Sequence, residues 1–138
     1  MCYKGRVIIG LTGRNAAGKG EVAKFLQSKS FCSHSLSDVI RGEIINQGLT
    51  ATRQRLIETG KNLRVQEGPG VLARRILEKI GPEENHVVDS FRHPSEVEAF
   101  KARTDFRLVA MIANISIRFE RARNRAREGD PVSLEEFQ

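Results

Sequence analysis

Apolar and polar positions alternate along this chain in two distinct rhythms. Val7-Ile8-Ile9-Gly10-Leu11 is a near-continuous apolar run. It reads as a strand over 6–12, of the kind covered on both faces in a parallel sheet. Val22, Ala23, Phe25 and Leu26 then recur at helical spacing, which predicts a helix over 19–28. A weaker strand, 30–36, contains Phe31 and Cys32, with His34 near its end. Ser37 is a candidate N-cap for a helix with Val39, Ile40 and Ile44 inside, stopped by Gly48. Another helix opens after Thr52, with Leu56, Ile57, Gly60 and Leu63 on one face. Gly68-Pro69-Gly70 breaks it, and Pro69 can open the next, which carries Leu72, Ile76, Leu77 and Ile80 and ends at Gly81-Pro82. A short strand starts at His86 and ends in Asp89. His93 and Pro94 lead into a helix with Val97 and Phe100 on its inner face. Phe106 to Ala113 reads as the strongest strand. The last helix begins near Ser116, with Ile115, Phe119, Ala122 and Ala126 on one face.

Strands alternating with helices predict an α/β fold, a three-layer α/β/α arrangement around a parallel sheet. The whole span 1–138 reads as one domain, without repeats or low-complexity linkers. About four strands are visible, where a sheet of this type usually has a fifth. The expectation is therefore a C-terminally truncated domain that lacks its last strand.

The turn between the first strand and the first helix carries the chemistry. Gly13-Arg14-Asn15-Ala16-Ala17-Gly18-Lys19-Gly20 has the GxxxxGK spacing, followed by Glu21. Such a loop must curl with its N–H groups inward around a polyphosphate, and glycine tolerates the conformations this requires. The helix behind it turns its free amides and positive dipole end to the anion. Lys19 adds a mobile full charge. The common pattern ends in Ser or Thr, whose hydroxyl ligates Mg²⁺; here Gly20 stands there.

Composition narrows the partners. The chain has 138 residues, 39% hydrophobic and 29% charged, as in an ordinary globular domain. No apolar run approaches the ~20 residues of a membrane helix. The N-terminus lacks the apolar core of a signal peptide. Cys2 and Cys32 fit no metal spacing and no disulfide framework, which suits reduced thiols in a cytoplasmic protein. The net charge of +6 invites a nucleic-acid reading, but aromatics are only 6% and Trp is absent, so stacking platforms are scarce. The charge is read as serving small phosphorylated ligands.

Three further segments attract attention. Asp89-Ser90-Phe91-Arg92 ends a buried-type strand, and in open parallel sheets ligands bind beyond the carboxyl ends of strands. Asp89 would then order the water shell of Mg²⁺ and Arg92 would grip a phosphate. The plain alternative is a helix cap followed by a solvated arginine. Asp38 sits in a helix first turn with Arg41 beside it. Arg118, Arg121, Arg123, Arg125 and Arg127 crowd the last helix. They read either as a solvated basic face or as a lid closing over transferring phosphates.

Together these segments resemble the P-loop nucleotide kinases, with the GKG ending similar to adenylate kinase. The best likeness is to poorly characterised proteins related to adenylate, cytidylate and dephospho-CoA kinases. It extends to Gly68-Pro69 with Leu72-Ala73-Arg74-Arg75, to Glu96-Val97-Glu98, and to Arg121 through Pro131. The resemblance implies ATP and Mg²⁺ as donor and cofactor, with the metal held through water by Asp89. Residues Gly13, Arg14, Asn15, Ala16, Ala17, Gly18, Lys19, Gly20 and Glu21 would bind the ATP phosphates. Asp38, Arg41 and Arg92 would bind the acceptor. Lys19, Arg92, Arg121, Arg125 and Arg127 would act in transfer, with Asp130 at the acidic end of a short lid. Asp89-x-x-Arg92 is similar to the DGxPR segment of adenylate kinase, with Ser90 in place of Gly. Dephospho-CoA kinases carry an Asp two residues before the position of Asp38, and here that residue is Leu36. A monophosphate acceptor needs no such base, so a nucleoside monophosphate is favoured over dephospho-CoA. Related domains also occur joined to deoxycytidylate deaminases. That implies a further alternative, a non-catalytic nucleotide-binding module fused to or associated with a deaminase.

Overall fold

The computed structural model describes residues 6–125 and 133–137. In chain order the elements are β1 (Ile8–Gly13), α1 (Lys19–Ser28), β2 (Cys32–Ser35), α2 (Leu36–Asn46), α3 (Arg53–Glu67), α4 (Val71–Lys79), β3 (His86–Asp89), α5 (Pro94–Lys101), β4 (Phe106–Met111), α6 (Ile115–Arg125) and α7 (Leu134–Phe137). The four strands form one parallel sheet in the order β2-β3-β1-β4. Register pairs Ile8 with both His86 and Phe106, and Ser35 with Asp89. All four strands therefore end at the same edge. Gly13, Ser35, Asp89 and Met111 meet there because of that register.

The sequence expectations hold for most elements and fail at informative boundaries. Helix α1 spans 19–28 as its periodicity predicts. The second strand is shorter than expected. Ser30 has φ +69, and its N–H bonds Gln27 C=O, so it closes α1 rather than opening β2. Leu36 is the first residue of α2, fully buried, and the N-cap is Ser35, not Ser37. Pro69 does not open α4; the helix starts at Val71, after Gly68 at φ +96 and Pro69 have made the turn.

The larger core fills the space between the sheet and α2 to α5. Leu36, Ile40 and Ile44 of α2 meet Leu63 of α3, Leu72 and Ile76 of α4, and Phe100 of α5. Phe100 stacks on Phe106 with ring centroids 5.2 Å apart, and Phe91 meets it edge-on at 5.6 Å. Phe91 therefore anchors the segment just before Arg92. On the other face of the sheet, Leu11, Ala23 and Val87 form a smaller core with Val22, Leu26 and Phe31 of the α1 region. Strand β4 is an edge strand. Its sequence reads as the strongest strand, yet Leu108, Val109 and Ala110 are exposed.

Two polar side chains are buried against expectation. Glu96 of α5 is inaccessible, and Arg118 of α6 is only 6% exposed. Among the described residues, no helix is long and apolar enough to cross a membrane.

Candidate functional site

The glycine loop leaves β1 at a position that only glycine can fill. Gly13 has φ +144, and a Cβ there would stand 2.4 Å from the carbonyl oxygen of Met111 on β4. Gly18 has φ +108 and stands at the N-cap of α1 without a side-chain cap. Ala16 also takes positive φ, +59. The loop closes on itself through the Ala17 N–H, which donates to Arg14 C=O at 3.1 Å. Lys19 folds back over it: its Nζ donates to the carbonyls of Gly13 at 2.7 Å and Arg14 at 3.0 Å. The result is a curled backbone at the start of a ten-residue helix, with an ammonium laid across it.

Charge gathers around that ammonium. Partial burial, then the Arg92 guanidinium, hold Lys19 below the ordinary lysine pKa. Asp89 pulls in the opposite direction, and Arg125 and Arg118 press it further down. Lysine and arginines from α1, α6 and the β3–α5 turn thus feel one another, with Asp89 as the opposing charge. Like charges held together in this way favour an anion between them.

The α6 arginines reach the loop's own carbonyls. Arg118 donates from Nε to Ala113 C=O at 3.1 Å and from Nη1 to Asn15 C=O at 3.5 Å. Arg121 Nη1 donates to Ala16 C=O at 3.3 Å, and Arg125 Nη2 donates to the Asn15 side chain. Arg118 was expected on the basic face, but it is buried, because a guanidinium supplied with carbonyl acceptors can leave water. Arg127, Asp130 and Pro131 lie outside the described residues.

Asp89 is half-buried at the end of β3 and surrounded by hydroxyls. Ser90 Oγ donates to Asp89 Oδ1 at 3.2 Å. Ser90 Oγ also meets Ser35 Oγ at 2.8 Å, and Ser35 Oγ meets Ser37 Oγ at 2.8 Å. Ser90 sits at φ +68, in the left-handed region. One carboxylate with neighbouring hydroxyls suits a Mg²⁺ that keeps most of its waters, since this ion dehydrates reluctantly. The curled amides and Lys19 suit a triphosphate. Among the described residues, no group of three or more His, Cys, Asp or Glu gathers as a metal cage.

The acceptor candidates are placed less tightly. Asp38 and Arg41 pair with each other, Nη1 to Oδ1 at 2.8 Å, on the exposed first turns of α2. Asp38 lines a hollow of about 270 Å³ between α2 and α4, together with Val39, Glu43, Arg75 and Lys79. Arg92 is exposed, and its turn is held by Glu96, which entered the sequence reading only as part of the family resemblance, with no role of its own. Glu96 accepts the N–H of Arg92 at 2.7 Å and of His93 at 3.0 Å. A signal for half of this existed: Glu three residues after an N-cap, with Pro at the first helical position, is a capping pattern.

No protein-family model matches the chain. It is 34% identical over 128 residues to a UPF0200 protein of Sulfurisphaera tokodaii, covering 93% of this chain and 71% of that protein. A UPF0200 protein of Methanothermobacter thermautotrophicus is 35% identical over 138 residues, covering 95% and 68%. Among solved structures, a Chloroflexus aurantiacus protein superposes with TM-score 0.63 at 16% identity, covering 96% of this chain and 75% of that one. A gluconokinase from Sinorhizobium meliloti gives TM-score 0.55 at 14% identity, covering 95% and 72%. A shikimate kinase from Bacteroides thetaiotaomicron gives TM-score 0.53 at 20% identity, covering 91% and 67%. At these identities the likeness is one of fold: a kinase-like P-loop α/β fold with the four-stranded parallel order described above.

Proposed function

Since the chain belongs to the UPF0200 family and has this P-loop fold, we propose that it is a phosphotransferase using ATP and Mg²⁺. Its acceptor is a nucleoside monophosphate or a related small phosphorylated molecule. The observation that carries the reading is the convergence on Lys19. Burial first, then Arg92 of the β3–α5 turn and Arg125 and Arg118 of α6, hold its pKa down, with Asp89 opposing them, beside a loop whose glycines permit a phosphate cradle.

In this reading the amides of 13–20 and Lys19 hold the donor's phosphates. Asp89 holds Mg²⁺ through water, and the ion supplies neutralisation of phosphate charge. Transfer forms a bond from an acceptor phosphate oxygen to the γ-phosphorus and breaks the bond from that phosphorus to the β-phosphate bridging oxygen. Little covalent work falls to the protein, so positioning and charge dominate. Arg92 and Arg41 would steady the acceptor. Arg121, Arg125 and Arg127 would neutralise the moving phosphoryl group and exclude water. Loss of one such arginine should lower the rate by about 10²–10³.

The acceptor preference rests on Leu36. A hydroxyl acceptor benefits from a carboxylate base, and this residue is a fully buried leucine. A monophosphate brings its own anionic oxygen. The test is product detection with ATP, Mg²⁺ and a panel of nucleoside monophosphates and dephospho-CoA. Diphosphate formation is expected, and phosphorylation of dephospho-CoA alone would overturn the acceptor reading. Lys19→Ala should weaken triphosphate binding by about ten- to hundredfold, as for loss of charge-assisted hydrogen bonds. Unchanged affinity would remove the donor site from this loop.

A further inference from the structure

One buried carboxylate controls the turn that carries Arg92. Glu96 has no exposed surface. Its Oε2 accepts two successive backbone N–H groups, from Arg92 and His93, at 2.7 and 3.0 Å. Its Oε1 accepts Arg64 Nη2 of α3 at 3.0 Å. A capping glutamate needs only the N-cap amide, here that of His93, and usually stays in water. This one reaches a residue further back and also leaves its own helix to meet α3. A carboxylate taken out of water is costly unless its lone pairs are used. Every bond it makes fixes either the Arg92 turn or α3.

Helix α3 packs closely on α2 one turn before Arg64. A side chain at Gly60 of α3 would begin 2.9 Å from Ile40 Cδ1 of α2 and 3.2 Å from Arg64 Nη1. The two helices are therefore in close contact where Arg64 lies. Helix α2 carries Asp38 and Arg41, the acceptor candidates. The bonds run from Arg64 of α3 to Glu96 and on to the backbone of Arg92 and His93, while α3 packs on α2 at Gly60 and Ile40.

We propose that Glu96 is a positioning residue for Arg92, and that its pair with Arg64 couples the placement of α3 to the Arg92 turn. The inference rests on Arg92 gripping the acceptor phosphate. A helix cap alone predicts only a loss of stability when Glu96 changes. A positioning role predicts that monophosphate binding suffers far more than triphosphate binding, because Arg92 is assigned to the acceptor while the loop amides and Lys19 hold the donor. The pair also predicts that Arg64, which caps nothing in α5, matters in the same way.

The test compares Glu96→Gln, Arg64→Met and Arg64→Lys with the wild type, using AMP, CMP and ATP as calorimetric probes. The backbone amide resonances of Arg92 and His93 are followed in parallel. Arg64→Lys keeps a positive charge beside the buried carboxylate and leaves the cap intact, so it serves even where Glu96→Gln or Arg64→Met folds poorly. Expected are moved Arg92 and His93 resonances and a roughly ten- to hundredfold loss of monophosphate affinity, the scale of a misplaced binding group. ATP affinity should stay within about twofold, as for a residue outside the donor site. Arg64→Lys, which keeps the charge, should recover part of the loss. Lower melting temperature with wild-type monophosphate affinity would overturn the proposal. If the wild type binds ATP but neither monophosphate, the acceptor reading fails by itself. The amide resonances in Arg64→Met then decide the coupling: moved, it stands; unmoved, it falls.

Discussion

Gly13→Ala is the sharpest perturbation the fold offers. The new methyl group would lie 2.4 Å from Met111 C=O, well inside the 3.0 Å below which Cβ contacts essentially never occur. Its neighbour is strand backbone, paired in register with Gly13 itself, so it cannot swing aside. Two costs combine. A φ of +144 is a region that side-chain-bearing residues rarely adopt, costing about 1–3 kcal/mol. Forcing strand and loop apart costs about 1–3 kcal/mol more, as in overpacked sites. Together they remove about 2–6 kcal/mol from a domain whose total stability is of order 10 kcal/mol. The melting temperature should fall by roughly 6–30 °C, at about 3–5 °C per kcal/mol for this size. Thermal melting and urea titration measure it, with Gly20→Ala as the control. Gly20 has no neighbour within 4 Å and an ordinary backbone conformation. Alanine there should be neutral or stabilise by up to about 1 kcal/mol. If Gly13→Ala melted within about 2 °C of the wild type, the argument from close approach of β1 and β4 would be refuted.

Other outcomes follow from the core and the sheet. Phe100→Ala removes a fully buried ring that contacts Phe91 and Phe106. It should cost about 3–5 kcal/mol in urea titration, and a cost below about 1 kcal/mol would mean the aromatic cluster is not load-sharing. His34 Nε2 and His86 Nδ1 lie 2.9 Å apart on adjacent strands, and His86 Nε2 meets Gly81 C=O at 3.2 Å. Burial first, then His86 and Lys79, lower the His34 pKa, with Glu84 opposing. A base whose folded pKa is depressed takes up its proton more readily when unfolded. Stability should therefore be complete above the unfolded histidine value of about 6.5 and decline as pH falls through the folded pKa. His34→Gln should flatten that decline in melts taken across acidic pH; an unchanged slope would place its origin in other groups.

The phosphate loop was legible because its constraints are local. A strand, a glycine spacing and a helix start must follow one another in sequence, and α1 begins and ends where periodicity puts it. Boundaries failed where the deciding contact is distant. Leu36 looks like the end of a strand, but it starts α2 because the core between α2 and the sheet needs a side chain there. The apolar run of β4 reads as the strongest strand, yet much of it is exposed, since periodicity reports hydrophobicity and not whether a neighbour exists. Buried charge was the least visible. Arg118 and Glu96 read as surface residues in any pattern of polarity. Their burial depends on acceptors and donors offered by Ala113, Asn15, Arg64 and the Arg92 turn, contributed from other elements. The sheet order could not be read from alternation alone, and that order is what brings Asp89 and Gly13 to neighbouring strand ends.

The sheet order also says something about how this molecule comes into being. Strand β1 has no partner among the residues that immediately follow it; it is flanked by β3 and β4, so Ile8 must wait for His86 and for Phe106. The cradle therefore leaves the ribosome before β3 and β4 do and is finished only after both have followed it. Such non-local pairing slows folding. A chain arrested before Met111 would carry the glycine run without the strand that shapes it, and would be expected to show no affinity for the donor.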